Sequence, residues 1–381
     1  MQRQEEIELI KEVLAIRAQK SAYLDPVMST KSTAHYTDSA RFAKERDLIF
    51  RTTPQPLVHS SEMPAANDFV RRELAGLPLL ITRDSEGEVH AFLNVCRHRG
   101  TRLVDDEAGC KRRFSCPYHA WTWDNRGGLV AIPHEKLGFP DIERDAMGLR
   151  RVGAVEKYGW IWVCAASEEA PDIDAHLGAL GDDLDWIDTA DHTMVHSVER
   201  DCAANWKILV EGGIEAYHFR VAHRNTIGPF FHDNLSTYRS FGGNMRSVLV
   251  RKSIDELNQL EEEKWRVREH AQLLYSFFPS TAFLVQSDHL AWISMQPVSA
   301  GQTRLRLSTL VPRARLQTEE DKAHWLKNHE ITVNTLNEDF DIGESIQSGL
   351  DSGANDVLTF GRFEGALKTF NDHVDALLAQ P

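Results

Sequence analysis

Hydrophobic and polar positions change period along this chain, and the changes predict its elements. Between Met1 and Lys20, charges alternate with apolar Ile7, Ile10, Val13 and Leu14 at helical spacing. That pattern predicts an amphipathic helix rather than the uncharged core of a signal peptide. Short β-favouring segments follow, bounded by glycine or acidic turns: Leu79-Leu80-Ile81-Thr82, Val89-His90-Ala91-Phe92-Leu93 and Trp160-Ile161-Trp162-Val163. They predict a small antiparallel β domain. Past Glu168-Glu169-Ala170-Pro171 the pattern turns helical, with strands expected at Met245–Val250, Thr281–Gln286, Ala291–Pro297 and Thr303–Val311. Long helical patterns cover Ile254–Gln272 and Glu319–Gly349, so the second domain reads as α+β. The expected division is an N-terminal helical segment at 1–40, a β domain at 41–165 and a larger domain at 166–381.

Composition narrows the function. A chain of 381 residues has room for two sizeable cores, and no apolar run approaches membrane-spanning length. A net charge of −14 argues against a nucleic-acid partner, because phosphate binding needs a basic surface. The sign reverses locally where Arg97, Arg99, Arg102, Lys111, Arg112 and Arg113 outnumber Asp105, Asp106 and Glu107. Such an island on an acidic protein suits an acidic electron donor, or is an ordinary solvated loop face. Five cysteines make an odd count, which implies no disulfide framework and fits a reducing cytoplasm. Cys110, Cys164 and Cys202 read as small buried hydrophobes.

The remaining two cysteines stand in a pattern with chemistry. Cys96-Arg97-His98, 17 residues, then Cys116-Pro117-Tyr118-His119 gives each short arm one thiolate and one imidazole. Two cysteines on one iron and two histidines on the other is the Rieske form of a [2Fe–2S] cluster, a single-electron relay. A structural Cys2His2 zinc site uses the same ligand types, but usually pairs its cysteines in one arm and its histidines in the other.

Further on, Asn205-Trp206-Lys207 precedes Glu211 and Glu215-Ala216-Tyr217-His218-Phe219-Arg220-Val221-Ala222-His223. On an ideal helix His218 and His223 would point about 140° apart, so one metal could hold both only if the helix loosens or ends between them. A carboxylate would complete the two-histidine facial set of non-haem Fe(II) oxygenases. Glu215 is near in sequence; Asp339 is remote, on a helical face with Leu336, Gly343 and Ile346. An acid on a buried face needs a partner or a metal, and Gly343 one turn away would leave room beside it.

Taken together, the Cys-X-His…Cys-X2-His arms, the Asn-Trp-Lys segment, the Glu-Ala-Tyr-His-X4-His segment and the Glu-Asp…Glu-X2-Gln-X-Gly helix resemble the catalytic α subunit of Rieske non-haem iron oxygenases, across most of residues 41–350. The resemblance implies a Rieske domain followed by a helix-grip-like (START/Bet v1-like) catalytic domain with an antiparallel sheet and long helices. It implies that Cys96, His98, Cys116 and His119 bind the [2Fe–2S] cluster and that His218, His223 and Asp339 bind a mononuclear Fe(II). Glu215 then matches the carboxylate that links a mononuclear-iron histidine to a Rieske histidine, His119, of a neighbouring subunit, in a head-to-tail ring of three. Electrons would come from NAD(P)H through a separate reductase or ferredoxin, since no Gly-rich dinucleotide fingerprint is present, and O2 would be the co-substrate.

Three positions depart from the family pattern. Glu215 stands where ring-dihydroxylating members have Asp, as in the branch that oxidises quaternary ammonium compounds. Ala120 and Gly212 stand where Gly and Asn are frequent. The substrate expected is a small organic molecule, an aromatic compound or a quaternary amine, with Phe230, Phe231, Phe283, Val285 and Trp292 as candidate pocket residues. The competing expectation is a non-enzymatic electron carrier or redox sensor.

Overall fold

Two-residue turns set strand pairing in the first half of the chain. Ala75-Gly76 and Tyr158-Gly159 have positive φ at both positions (50° and 79°, 55° and 79°), the mirror-image turn whose twist suits paired strands. They close the antiparallel hairpins Asp68–Leu74 with Leu77–Arg83 and Arg151–Lys157 with Trp160–Cys164. The computed structural model describes residues 1–379. It divides into Phe50–His176 and a larger unit made of Met1–Ile49 and Leu177–Pro381.

The smaller unit carries a seven-stranded antiparallel sheet in the order Gln55–His59, Trp160–Cys164, Arg151–Lys157, Val89–Leu93, Leu77–Arg83, Asp68–Leu74, Ala108–Cys110. Leu57, Val58, Leu79, Ile81, Ile161 and Val163 build one core. Phe69, Phe92, Phe114, Trp121 and Trp123 build another, which includes Cys96 and Cys116. A three-stranded sheet, Arg113–Ser115, Thr122–Asp124 and Leu129–Ala131, carries the second cysteine arm.

The larger unit is α+β. Its seven-stranded antiparallel sheet runs His192–Cys202, Gln302–Pro312, Leu290–Ser299, Thr281–Val285, Ala271–Phe277, Asn244–Arg251, Phe231–Phe241. The 33-residue helix Glu319–Asp351 opens on a capping box, with Thr318 accepting from Asp321 N and Asp321 accepting from Thr318 N. The amphipathic N-terminal helix forms over Arg3–Ala18 and buries Leu9, Ile10 and Val13. Among the described residues no helix is long and apolar enough to cross a membrane.

One predicted helix is absent. Ile254–Gln272 forms short 3-10 turns at Lys252–Gln259 and Glu262–Lys264 and one helical turn at Val267–His270, and Ala271 already begins a strand. The buried indole of Trp265 donates to the carbonyls of Leu257 and Leu260, which occupies acceptors a continuous helix would need. Cys110 is exposed rather than buried, whereas Cys164 and Cys202 are buried.

Candidate metal centres

Each cysteine arm is a tight loop closed by the same two backbone bonds. Cys96 N donates to Thr101 O and Gly100 N to Cys96 O; Cys116 N donates to Trp121 O and Ala120 N to Cys116 O. Gly100 (φ 79°) and Ala120 (φ 56°) fill the same left-handed position in the two loops. Ala120 thus occupies a conformation that costs an alanine about 1 kcal/mol. The loops bring the four predicted residues together: the His98 and His119 rings lie 4.7 Å apart, and the buried Cys96 and Cys116 thiols are near enough to hydrogen-bond. Burial raises the Cys96 thiol, against the pull of the His98 backbone N–H and with a smaller push from Cys116. Both histidine Nδ1 atoms are buried without a hydrogen-bond partner. Buried polar atoms are nearly always satisfied, so two orphaned imidazole nitrogens beside two thiols fit a [2Fe–2S] cluster ligated through Nδ1 and Sγ. His98 is held by stacking on Trp121 (4.8 Å, 6°) and by the edge of Phe139.

In the larger unit the helix Trp206–Gly213 ends before Glu215, and His218 and His223 flank a single helical turn, Phe219–Ala222. The helix stops before both histidines rather than between them, and the two rings meet across this single short turn, 5.1 Å apart and inclined at 66°. Asp339 arrives from the 33-residue helix. One ligand atom from each of His218, His223 and Asp339 lies within 4.8 Å of the others. Asp339 Oδ1 is 3.0 Å from His223 Nε2 and 3.4 Å from His218 Nε2. Gly343 makes this approach possible: a Cβ there would stand 2.8 Å from Leu209 of the helix Trp206–Gly213. The predicted room beside Asp339 is therefore filled by helix packing, and Ile346 on the same predicted face is 40% exposed.

Outer carboxylates fix both rings. Glu215 accepts from His218 Nδ1 and from the backbone N–H groups of Tyr217 and His218. Glu338 Oε2 accepts from His223 Nδ1 at 2.7 Å and from Thr226 Oγ1 at 2.7 Å. With each Nδ1 committed, both Nε2 atoms are left to face Asp339, the arrangement in which second-shell acids orient metal-bound imidazoles. His218 Nε2 makes no hydrogen bond and is buried. Burial alone would lower the His218 pKa, but Asp339 and Glu215 hold it at about 10. Three carboxylates around two imidazoles call for positive charge at the centre, which a divalent cation supplies. Glu338 and Thr226 were not singled out from the sequence; the only signal was an acid next to Asp339, and helical acids are usually solvated.

The Asn-Trp-Lys segment anchors this region. Asn205 caps its helix by accepting from Lys207 N and donates to the carbonyls of Tyr36 and Ala300. Trp206 Nε1 and Lys207 Nζ both donate to the buried Glu45 carboxylate. Glu211 is buried and accepts from Tyr36 Oη and Asn371 Nδ2 at 2.8 and 2.7 Å.

A cavity of about 600 Å³ opens onto His218, His223 and Asp339. One wall is the sheet: Met245, Leu249, Leu274, Leu284 and Ile293 alternate inward along their strands. The other is the long helix, at Asn328, Ile331, Thr332, Thr335 and Leu336. Phe230 and Phe231 line the cavity as expected. Phe283, Val285 and Trp292 do not: they are buried on the opposite phase of the same strands.

Comparison with known proteins matches residues 189–380 to the ring hydroxylating alpha subunit (catalytic domain) family and residues 53–143 to the Rieske [2Fe-2S] domain family. The chain is 33% identical over 204 residues to the large oxygenase component of the 2,4-dinitrotoluene dioxygenase system of Burkholderia sp. (strain RASC), covering 50% of this chain and 44% of that protein. It is 33% identical over 188 residues to the glycine betaine monooxygenase oxygenase subunit of Pseudomonas aeruginosa (strain UCBPP-PA14), covering 49% and 43%. The matched segment thus spans less than half of either relative. A quaternary ammonium Rieske monooxygenase, whose structure is described in terms of carnitine oxidation and inter-subunit electron transfer, superposes with a TM-score of 0.79 at 23% identity over 92% of this chain and 95% of that one. Naphthalene 1,2-dioxygenase with bound indole gives 0.74 at 22% over 92% and 94%. At these identities the structural likeness speaks for the fold.

Proposed function

The chain belongs to the family of ring-hydroxylating oxygenase α subunits, and on that premise we propose that it is the terminal component of an O2-dependent oxygenase. Cys96, His98, Cys116 and His119 hold the [2Fe–2S] cluster, and His218, His223 and Asp339 hold the mononuclear iron. The observation that carries the reading is the convergence of two Nε2 atoms and one carboxylate, each imidazole tied at Nδ1, on one point of a cavity wall. When bound there, non-haem iron supplies O2 activation with open positions for oxygen and substrate.

The chain's own residues do the rest. Glu215 and Glu338 keep the Nδ1 protons and so present both Nε2 lone pairs inward. The apolar cavity walls exclude water from the reacting carbon. Glu215, in addition, links His218 to His119 of a neighbouring copy in a homotrimer, and the electrons come from NAD(P)H through a separate reductase or ferredoxin that docks near the cluster arms. Assembly across subunits is supported by the carnitine-oxidising relative, described as transferring electrons between subunits. The substrate is a small organic molecule that is hydroxylated, or demethylated by way of hydroxylation.

Metal analysis with a coupled assay tests this. Purified protein should hold three irons per chain, consume NAD(P)H and O2 with a generic reductase, and lose one iron and all O2-coupled turnover in His218→Ala while keeping the Rieske spin signal. Two irons in the unaltered protein, with turnover indifferent to His218→Ala, would establish the electron carrier instead.

A further inference from the structure

The charged groups facing the cavity are unevenly placed. Beyond the His218, His223 and Asp339 centre they are Arg251, Lys252, Asp288 and His289. Asp288 is already committed: one oxygen takes His289 Nδ1 at 2.9 Å and the other lies 3.4 Å from Arg315 Nη1. Lys252 is exposed and donates to the Pro229 carbonyl at 2.8 Å. Among the described residues no carboxylate forms an ion pair with Arg251. Among the described residues its guanidinium makes one hydrogen bond, from Nη2 to Gln286 Oε1, and lies over the Phe231 ring at 5.9 Å. Nε and Nη1 keep free N–H groups in a largely apolar cavity. Arg251 is the last residue of its strand, on the same face as Leu249, which pairs with Gln272. The Gln272 amide also lines the cavity, and among the described residues no side-chain hydrogen bond engages it. Burial pulls the Arg251 pKa down, offset in part by Asp288, so this cation lacks the compensation such groups normally have.

Position adds a length. Gln286 and His289 pair at the hairpin turn, and His289 packs on Trp325 near the start of the long helix. Asp339 lies 14 residues beyond Trp325 on that helix, about 21 Å at 1.5 Å per residue. Between Arg251 and His223 stand two rings in series, Phe231 and Phe219, in contact at 5.4 Å and at 5.2 Å to His223. An anion held at Arg251 therefore leaves an apolar stretch of about one to two rings before the metal centre.

We infer that the substrate is an organic acid with a ring-sized apolar body, its carboxylate bound by the free edge of Arg251 with Gln272 and Gln286 beside it, and its far end presented to His218, His223 and Asp339. A carboxylate fits the two parallel donors of a guanidinium, and a quaternary ammonium would be repelled by it. This rests on the oxygenase reading for what happens at the far end, but not for the binding itself.

Isothermal titration of the metal-loaded protein with 3-phenylpropionate, 2-naphthoate, their primary amides and phenyltrimethylammonium tests it without turnover. The acids should bind ~10- to 100-fold more tightly than their amides. Arg251→Gln should bring that ratio close to 1, and Arg251→Lys should restore part of it. Equal binding of acid and amide by the unaltered protein overturns the inference, as does preferred binding of the ammonium ion or a ratio unmoved in a folded Arg251→Gln. If acids bind selectively but no iron is found at His218, the oxygenase reading fails and the anion site stands. If iron and O2 consumption are present but no acid is preferred, only the anion site fails.

Discussion

Glu338→Ala isolates what an outer carboxylate does for the proposed iron. The His223 ring is 1% exposed, and its Nδ1 has Glu338 Oε2 as acceptor at 2.7 Å. Removing that acceptor leaves a buried N–H unsatisfied, a cost of about 1–3 kcal/mol. The ring can escape the cost by moving its proton to Nε2, but this takes away the lone pair that faces Asp339. Either route weakens the centre, and a loss of ~10- to 100-fold in metal affinity is the corresponding scale for such outer hydrogen bonds. Glu338→Gln keeps a carbonyl acceptor and should lose about half of that in logarithmic terms, because a neutral bond is roughly half as strong as a charge-assisted one. Thr226→Ala, which frees rather than removes the acceptor, should change affinity by less than about threefold. The assay is anaerobic ferrous titration against a competing chelator, with the Rieske spin signal as an internal check on folding. If Glu338→Ala binds iron within twofold of the unaltered protein, Glu338 does not orient His223 and the argument is wrong.

Glu215→Gln should leave both metal sites filled and slow electron transfer between them by at least ~10-fold; stopped-flow reoxidation of the cluster at the normal rate would reduce Glu215 to a packing residue. Reversing Lys111, Arg112 and Arg113 to Glu should slow cluster reduction by the donor at low salt and less so at high salt, and an unchanged salt dependence would show the basic island to be a plain solvated face. Glu211 is raised by burial from 4.5 to about 7, so its contribution to stability is full below pH 4.5 and is lost as pH rises through 7, by about 3 kcal/mol. Glu211→Gln should flatten that part of the stability curve in denaturant titrations between pH 4.5 and 8; an unaltered slope would mean that another group titrates there. Ala120→Gly should hold or slightly raise the melting temperature, because relief of the left-handed alanine, about 1 kcal/mol, is offset in part by the freer unfolded chain; a fall of several degrees would mean that the Ala120 methyl is needed for packing.

Legibility followed distance along the chain and the physics of each element. The cluster arms could be read because each is a local loop whose ligands are two or three residues apart. His218 and His223 could be read as a pair only on the condition that a helix loosens or ends between them; the structure instead ends the helix at Gly213, before both, and joins them by a single turn at Phe219–Ala222. Asp339 lies 116 residues from His223, yet an acid on an otherwise apolar helical face is an anomaly that a pattern reveals. Glu338 shows no anomaly of that kind: it is about 29% exposed, and its role lies in a contact across the fold. The failed helix at Ile254–Gln272 has the opposite cause. Its spacing is helical, but Trp265 captures two carbonyls from a neighbouring turn, a tertiary bond that propensity does not contain.

The cavity wall was misread for a reason that also shows how to read it. Ala271–Phe277 and Thr281–Val285 are buried on both faces, so alternation of apolar and polar residues cannot tell which phase faces the cavity. Aromatic and β-branched side chains drew attention to Phe283, Val285 and Trp292, which belong to the packed face together with Tyr275 and Phe277. The phase is marked instead by polar residues that a packed face would not hold. Gln272 and Ser276 flank Leu274 at two-residue spacing, and Arg251 follows Leu249 in the neighbouring strand; all five line the cavity. A polar side chain tolerated inside an apolar strand needs water or a ligand to satisfy it. In this sheet the same residues that betray the phase of the wall are those that an anionic substrate would use.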